Sequence, residues 1–119
     1  MTDSPFLNKR CRPCEGGISP LSREQILENL KVLENWTLSQ DAKSIRKEYL
    51  MKDFMSAIDL VEKIASAAEE EDHHPDIHLT GYRKLAIELS THAIHGLSEN
   101  DFILAAKIDN LPKRLKTKS

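Results

Sequence analysis

The stretch from Glu69 to Gly81, EEEDHHPDIHLTG, constrains this chain most, because it combines a helix-ending proline with a dense group of ionisable side chains. Pro75 disfavours the α conformation of the residue before it, so the preceding helix should end near His73. The four carboxylates from Glu69 to Asp72 then lie in the last helical turn, where negative side chains oppose the helix dipole. Such local conflicts concentrate at functional sites, although a solvated acidic surface is the plain alternative.

The composition is that of a globular chain with one domain. Of its 119 residues, 39% are hydrophobic and 30% are charged, and a chain of this length can bury about 65% of its unfolded surface. No apolar run approaches the ~20 residues needed to cross a bilayer, and the N-terminal residues lack the apolar segment of a secretory leader. A formal net charge of -2 gives no general attraction to nucleic acid. We therefore expect a cytoplasmic protein with no membrane and no direct nucleic-acid partner.

Patterns along the chain divide it into three parts. Residues 1–20 hold both cysteines and several prolines and are predicted to form an irregular arm, residues 21–112 form the domain, and residues 113–119 form a short basic tail. Cys11 and Cys14 have the spacing of half a zinc site, but no second pair exists, so histidines or a neighbouring subunit would have to complete it. An ordinary reduced arm is the alternative.

Capping patterns predict three helices. The first begins after Ser22 and runs to about Asn35, the second begins after Asp53 and runs into the acidic stretch, and the third begins after Ser98. Ser22 and Gln25 cap the first helix, whose expected apolar stripe is Ile26, Leu27, Leu30 and Leu33. Asp53 caps the second helix, with the stripe Phe54, Ile58, Val61, Ala65 and Ala68. Ser98 and Asp101 cap the third helix, with the stripe Phe102, Ile103, Ala106 and Ile108, and Pro112 ends it. Phe54 and Met55 are assigned to the core rather than to a ligand site.

Four short strands are predicted between these helices, in two pairs. The first pair is Trp36 to Leu38 and Ser44 to Leu50, and the second is Ile77 to Thr80 and Tyr82 to Thr91, in which apolar and polar residues alternate. The resulting order is helix, two strands, helix, two strands, helix. This order predicts an α+β fold: a four-stranded antiparallel sheet with about three helices packed on one face.

Three histidines are the candidates for chemistry. His73 and His74 are adjacent, so only an irregular turn, such as Pro75 supplies, allows both to face one pocket. His92 lies at the end of the last predicted strand. Imidazoles can donate and accept protons near neutral pH, which favours acid–base catalysis.

Other chemistries have weaker support. The chain has no nucleophile motif and no Gly-rich phosphate loop, which disfavours covalent catalysis and phosphoryl transfer. A metal site built from histidines is the rival hypothesis, but the H-E-x-x-H arrangement is absent. His78 and His95 are expected to be surface or supporting residues.

Several motifs match a known family. They are E-x-x-D-H-H-P-D from Glu69 to Asp76, Tyr82, S-T-H from Ser90 to His92, G-L-S from Gly96 to Ser98, and D-F-I-L-A-A-K-I-D from Asp101 to Asp109. On these residues the sequence resembles the pterin-4a-carbinolamine dehydratases, also called 4a-hydroxytetrahydrobiopterin dehydratases. The resemblance covers about Leu21 to Leu111, and the arm is similar to that of a bacterial or plant-type subgroup. Ile77 departs from the family, in which an aromatic residue often follows H-H-P-[DE].

The resemblance implies an enzyme and a site. The implied reaction is dehydration of a 4a-hydroxytetrahydropterin to a quinonoid dihydropterin, a hydro-lyase step that recycles tetrahydrobiopterin and needs no metal and no other cofactor. The implied catalytic residues are His73, His74 and His92, and the implied substrate-binding residues are Glu69, Asp76, Ser90, Thr91 and Asp101. The resemblance also implies a homodimer or homotetramer.

Two rival functions stay open at this stage. One is a non-catalytic dimerisation or assembly factor on the same fold, which would not need His73 or His92. The other is a metal-binding module built from Cys11, Cys14 and histidines.

Overall fold

The computed structural model of the protein describes residues 6, 7, 9, 11 and 19–116. Within these residues there are three α-helices: α1 (Arg23–Leu30), α2 (Phe54–Glu71) and α3 (Glu99–Asp109). The four strands are β1 (Thr37–Leu38), β2 (Ile45–Leu50), β3 (Asp76–Thr80) and β4 (Lys84–Leu89), and a short 3₁₀ helix spans His92–Ile94. The predicted order of elements and the α+β fold class are confirmed.

The four strands form one antiparallel sheet in the spatial order β1-β2-β4-β3. Directly opposite residues of antiparallel strands share a face, and the pairs include Ile45 with Leu89 and Ile77 with Ile87. This face packs into the core, where Ile45, Ile87 and Leu89 are fully buried. The opposite face carries mainly polar side chains: Arg46, Glu48, Lys84, Glu88, Asp76, His78 and Thr80. The helices therefore cover the apolar face of the sheet.

Helix α2 buries a different stripe from the predicted one. Its buried residues are Ser56, Ala57, Leu60, Ile64, Ala68 and Glu71. The prediction that Phe54 and Met55 belong to the core is wrong, because their exposed fractions are 48% and 70%. The apolar pattern of this helix offers two stripes one residue apart, or roughly 100° around the axis. Packing selects the stripe that contains Leu60 and Ile64.

Helix α1 begins as predicted but ends earlier. The Gln25 N–H donates to Ser22 Oγ at 3.2 Å, and the Ser22 N–H donates to Gln25 Oε1 at 2.9 Å, so the capping box is complete. The helix ends at Leu30 rather than near Asn35, because the next residues form tight turns and Asn35 takes a positive φ of 64°. Leu27 lies outside the buried stripe and is 47% exposed.

Helix α2 ends at Glu71, two residues before the predicted end. Asp72 adopts the left-handed conformation, with φ 51° and ψ 43°. The N–H groups of Asp72 and His73 donate to carbonyls of the last turn at 3.3 and 3.1 Å, which is the Schellman arrangement of a helix end. His73 and His74 therefore leave the helix at its C-terminal end, as predicted.

Both ends of the described chain pack against this domain. Phe6 is 5% exposed, and its ring centroid lies 5.8 Å from that of Phe102. At the other end, the Lys116 N–H donates to the Leu50 carbonyl at 2.9 Å, which joins the start of the basic tail to β2. Cys14 and residues 117–119 lie outside the described residues. Among the described helices, none combines the length and apolar character needed to cross a membrane.

Candidate active site

Asp101, in the first turn of α3, is fully buried and holds three groups together. Its Oδ1 lies 2.6 Å from His73 Nε2. Its Oδ2 accepts hydrogen bonds from the Thr91 hydroxyl at 2.7 Å and from the Ser98 N–H at 3.0 Å. These bonds offset the desolvation cost of a buried carboxylate. Asp101 therefore links the end of α2 and the end of β4 to the start of α3.

Helix capping places this carboxylate. Ser98 is the N-cap of α3, and Asp101 lies three residues later, where its side chain can return to the Ser98 N–H as half of a capping box. Ser98 Oγ lies 2.8 Å from Thr91 Oγ1. Because the Thr91 hydroxyl gives its one proton to Asp101, Ser98 is the donor in this pair. One carboxylate thus caps a helix and orients an imidazole.

His73 and His74 lie in different surroundings. The His73 side chain is 12% exposed and faces Asp101. When a neutral imidazole donates Nε2–H to a carboxylate, Nδ1 is the nitrogen that can accept a proton. His74 is 57% exposed, and its Nε2 lies 3.6 Å from Glu69 Oε2, which belongs to an even more exposed side chain. Only the first histidine of the pair joins the buried network.

A cavity of about 290 Å³ opens beyond the C-terminal end of β4. Its volume is close to the lower end of small-molecule pockets, roughly 300–1,000 Å³. Its lining residues are Lys43, Ser44, Asp76, Glu88, Ser90, Thr91, His92, His95 and Gly96. Four predicted site residues therefore meet here: Asp76, Ser90, Thr91 and His92. Neither His73 nor His74 lines this cavity, but Thr91 does, and its hydroxyl connects the cavity to Asp101 and through Asp101 to His73.

Sequence reasoning missed several residues that line the cavity. Glu88 lies two positions before Ser90, so strand alternation places both on one face and could have identified it. His95 was expected to have a surface or supporting role, but it lines the cavity in a left-handed conformation with φ 54°. Lys43 and Ser44 come from the turn before β2, and no local pattern places that turn beside the end of β4.

Cys11 lies near the buried carboxylates of Glu71 and Asp101. Its backbone N–H donates to Glu71 Oε1 at 2.8 Å. Burial, reinforced by the nearby carboxylates of Glu71 and Asp101, raises the pKa of the Cys11 thiol to about 12. A cysteine binds zinc as the thiolate, so this environment disfavours metal binding by Cys11. Within residues 6, 7, 9, 11 and 19–116, no cluster of three His, Cys, Asp or Glu side chains is arranged to hold a metal ion.

Comparisons with known proteins identify the family of this chain. Residues 19–111 match the family model described as pterin 4 alpha carbinolamine dehydratase. A protein of Nitrosospira multiformis is 48% identical over 110 residues, which cover 92% of this chain and 95% of that protein. It carries the name pterin-4-alpha-carbinolamine dehydratase as a provisional assignment.

Solved structures show the same fold. The crystal structure titled transcriptional coactivator/pterin dehydratase, from Brucella melitensis, matches with a TM-score of 0.72 and 28% identity, over 76% of this chain and 96% of that chain. A pterin dehydratase-like protein identified as a RuBisCO assembly factor in the alpha-carboxysome matches with a TM-score of 0.55 and 19% identity, over 65% of this chain and 88% of that chain. The second likeness concerns the fold alone. By the family model and its close relatives, this chain belongs to the pterin 4 alpha carbinolamine dehydratase family.

Proposed function

We propose that this protein dehydrates a 4a-hydroxytetrahydropterin to a quinonoid dihydropterin by histidine acid–base catalysis, and so recycles tetrahydrobiopterin. The observation that carries the proposal is the hydrogen-bonded series from His73 through Asp101 to Thr91, which ends at the cavity that His92 lines. Family membership supports the same class of reaction. The series links His73, at the end of α2, to Thr91, which lines the same cavity as His92.

The reaction needs only proton transfers. The hydroxyl at C4a leaves as water after an acid protonates it, a base removes a proton from a ring nitrogen, and the electron pair forms the new C=N bond. No electrons are gained or lost overall. Imidazoles can serve as both acid and base near neutral pH. Catalysis by two or three positioned histidines therefore satisfies the chemistry.

In this proposal His73, His74 and His92 are the catalytic residues. Asp101 orients the His73 ring, and Glu69 has the corresponding role for the exposed His74, 3.6 Å away. Asp76, Ser90 and Thr91 line the cavity and would contact the pterin. His74 does not line the cavity, so its participation requires a bound ring that extends as far as His74.

The test is the rate of dehydration of enzymatically generated 4a-hydroxytetrahydropterin, followed by ultraviolet absorbance. We expect the native protein to accelerate the reaction, and His73→Ala and His92→Ala each to lower the enzymatic rate by roughly 10²-fold or more, the usual size of an acid–base contribution. The rate of His74→Ala tests separately whether His74, the third proposed catalytic residue, contributes to the reaction.

His78→Ala is the matched control, because His78 lies on the polar face of β3, is exposed and does not line the cavity. It should keep the native rate. If the folded native protein gives no acceleration over buffer, the proposal is wrong, and a non-catalytic assembly or dimerisation role becomes the better hypothesis. If His78→Ala lowers the rate as much as His92→Ala, the assigned site is wrong.

We also propose that the protein is a homodimer or homotetramer. Exposed apolar side chains support this, since Phe54 and Met55 lie side by side at the start of α2 and are 48% and 70% exposed. Light scattering coupled to size-exclusion chromatography measures the mass of the particle directly. A monomer mass of 13.5 kDa across micromolar concentrations would contradict the proposal.

A further inference from the structure

Glu88 is a cavity residue that the proposed proton transfers do not use. Alternation along β4 places it on the polar face of the sheet, two positions before Ser90. It lines the same cavity as Thr91 and His92. At about 3.3 Å per residue, the backbone positions of Glu88 and His92 are at most roughly 13 Å apart. A flat bicyclic ring can therefore lie with one edge near Glu88 and its reacting carbon near His92.

The Glu88 carboxylate is held in place by a residue from another part of the chain. The Ser44 hydroxyl donates to Glu88 Oε2 at 3.0 Å, and both side chains are half-buried. A carboxylate has about four acceptor positions on its two oxygens, so this bond leaves capacity for a ligand. Ser44 thus fixes an acceptor at the wall of the cavity.

The two strand neighbours of Glu88 carry charges of opposite sign. Arg46 on β2 and Asp76 on β3 occupy the positions directly opposite. The Arg46 guanidinium lies 3.4 Å from the carboxylate of Glu48. Asp76 places a second negative charge across from Glu88, and like charges in opposite positions destabilise a sheet. A ligand that brings N–H donors to this wall would offset that repulsion.

The pyrimidine ring of a pterin has such donors. Its N3–H and its 2-amino group present two N–H bonds side by side, which a carboxylate can accept together. We propose that Glu88 recognises this 2-amino-pyrimidine edge and so selects pterins over pteridines that lack the 2-amino group. This inference rests on the proposed function, because it assumes that the cavity takes a pterin.

The experiment compares the binding of two flat bicyclic rings. Pterin carries an amino group at position 2, whereas lumazine carries an oxo group at that position. Binding is measured at pH 7 by quenching of pteridine fluorescence, so no turnover is needed. A site built to accept a substrate N–H rejects analogues that lack it, so we expect the native protein to bind pterin at least tenfold more tightly than lumazine. Glu88→Gln should reduce this ratio of the two affinities by roughly tenfold. Glu48→Gln, on the same face of the sheet but outside the cavity, should keep the native ratio.

A Glu88→Gln protein that folds and keeps the native ratio overturns the inference. If that variant does not fold, Ser44→Ala provides the test, because loss of the bond to Oε2 should lower the ratio without changing charge; an unchanged ratio again contradicts the inference. The two proposals fail in different ways. Native dehydratase activity with a ratio that does not depend on Glu88 refutes this inference alone, whereas a native protein that binds neither ring and shows no activity refutes both.

Discussion

His73 Nε2 lies 2.6 Å from Asp101 Oδ1, and this contact joins the C-terminal end of α2 to the first turn of α3. Asp101→Asn keeps the size of the side chain but replaces an acceptor oxygen with an N–H donor. We expect kcat to fall by roughly 10²-fold, because the ring loses the partner that orients it. KM should change by less than about threefold, because Asp101 does not itself line the cavity.

Steady-state kinetics with a range of pterin concentrations separates these two effects. The free energy of unfolding of Asp101→Asn should fall by about 1–3 kcal/mol, since buried groups lose hydrogen-bond partners. An unchanged kcat with a raised KM would show that Asp101 serves ligand binding rather than orientation of His73.

A half-buried carboxylate, Asp109, lies at the other end of α3 from Asp101 and binds three donors there. Trp36 Nε1–H donates to its Oδ2 at 2.8 Å, the Lys47 ammonium lies 2.8 Å from Oδ1, and the Tyr49 hydroxyl also bonds Oδ1. Asp109→Ala removes the shared acceptor of three enclosed donors. We expect a loss of about 3 kcal/mol in the free energy of unfolding, measured by urea denaturation.

Glu28→Ala is the control for Asp109, because it breaks an ion pair between Glu28 and Lys31 whose side chains are 71% and 70% exposed. Exposed pairs of this kind add little to stability. The control should leave the urea midpoint unchanged. An equal midpoint shift in both variants would show that the cluster around Asp109 has no special stabilising role.

The Cys11 thiol should be unreactive in the folded protein. Burial raises its pKa from an ordinary value of 9.0 to about 12, so at pH 8 the thiolate that attacks iodoacetamide is about 10³-fold scarcer than in an unfolded chain. In a Cys14→Ser variant, mass spectrometry should show slow alkylation that becomes fast in urea. Because the folded pKa is the higher one, the stability linked to this thiol is fully present below pH 9 and is lost as the pH rises towards 12.

Fast alkylation of Cys11 at pH 8 without urea would contradict the enclosed position of the thiol. The Cys11→Ser variant, which keeps Cys14, is the matched control for the reactivity of the other cysteine.

Gly96 is required by close packing against Pro20. A Cβ added at Gly96 would lie 2.8 Å from the Pro20 Cβ, which is closer than such atoms approach. The Gly96 carbonyl also accepts a hydrogen bond from the Thr91 N–H at 2.8 Å. Because both residues line the cavity, a displacement of Gly96 changes the cavity wall. We expect Gly96→Ala to lower the free energy of unfolding by about 1–3 kcal/mol through overpacking.

A double-mutant cycle with Pro20→Ala tests the cause of that loss. The Pro20→Ala substitution removes the Cγ atom, 3.1 Å from the added Cβ, and frees the backbone at residue 20 to move away. Gly96→Ala should therefore cost less stability in the Pro20→Ala background. Strictly additive losses would show that contact with Pro20 is not the reason for glycine at position 96.

Local signals in the sequence predicted the elements well, because they depend on neighbours in the chain. The Ser22 and Ser98 caps, the end of α2 before Pro75 and the alternation along β4 are all interactions over a few residues. The same signals failed where a choice depended on distant partners. The buried stripe of α2 was displaced by one residue, and α1 ended early at Leu30.

The sequence by itself determined the family and the α+β order, and it identified four of the residues that line the cavity as site candidates, since these follow from motifs and short-range periodicity. Only the tertiary structure decided how the histidines are divided: His73 packs against Asp101 with its side chain 12% exposed, His74 is 57% exposed, and His92 lines a cavity with Glu88 and His95. The physical reason is that a buried carboxylate needs several donors at once. Asp101 obtains them from segments 10 and 28 residues away in the chain, and no local pattern encodes that convergence.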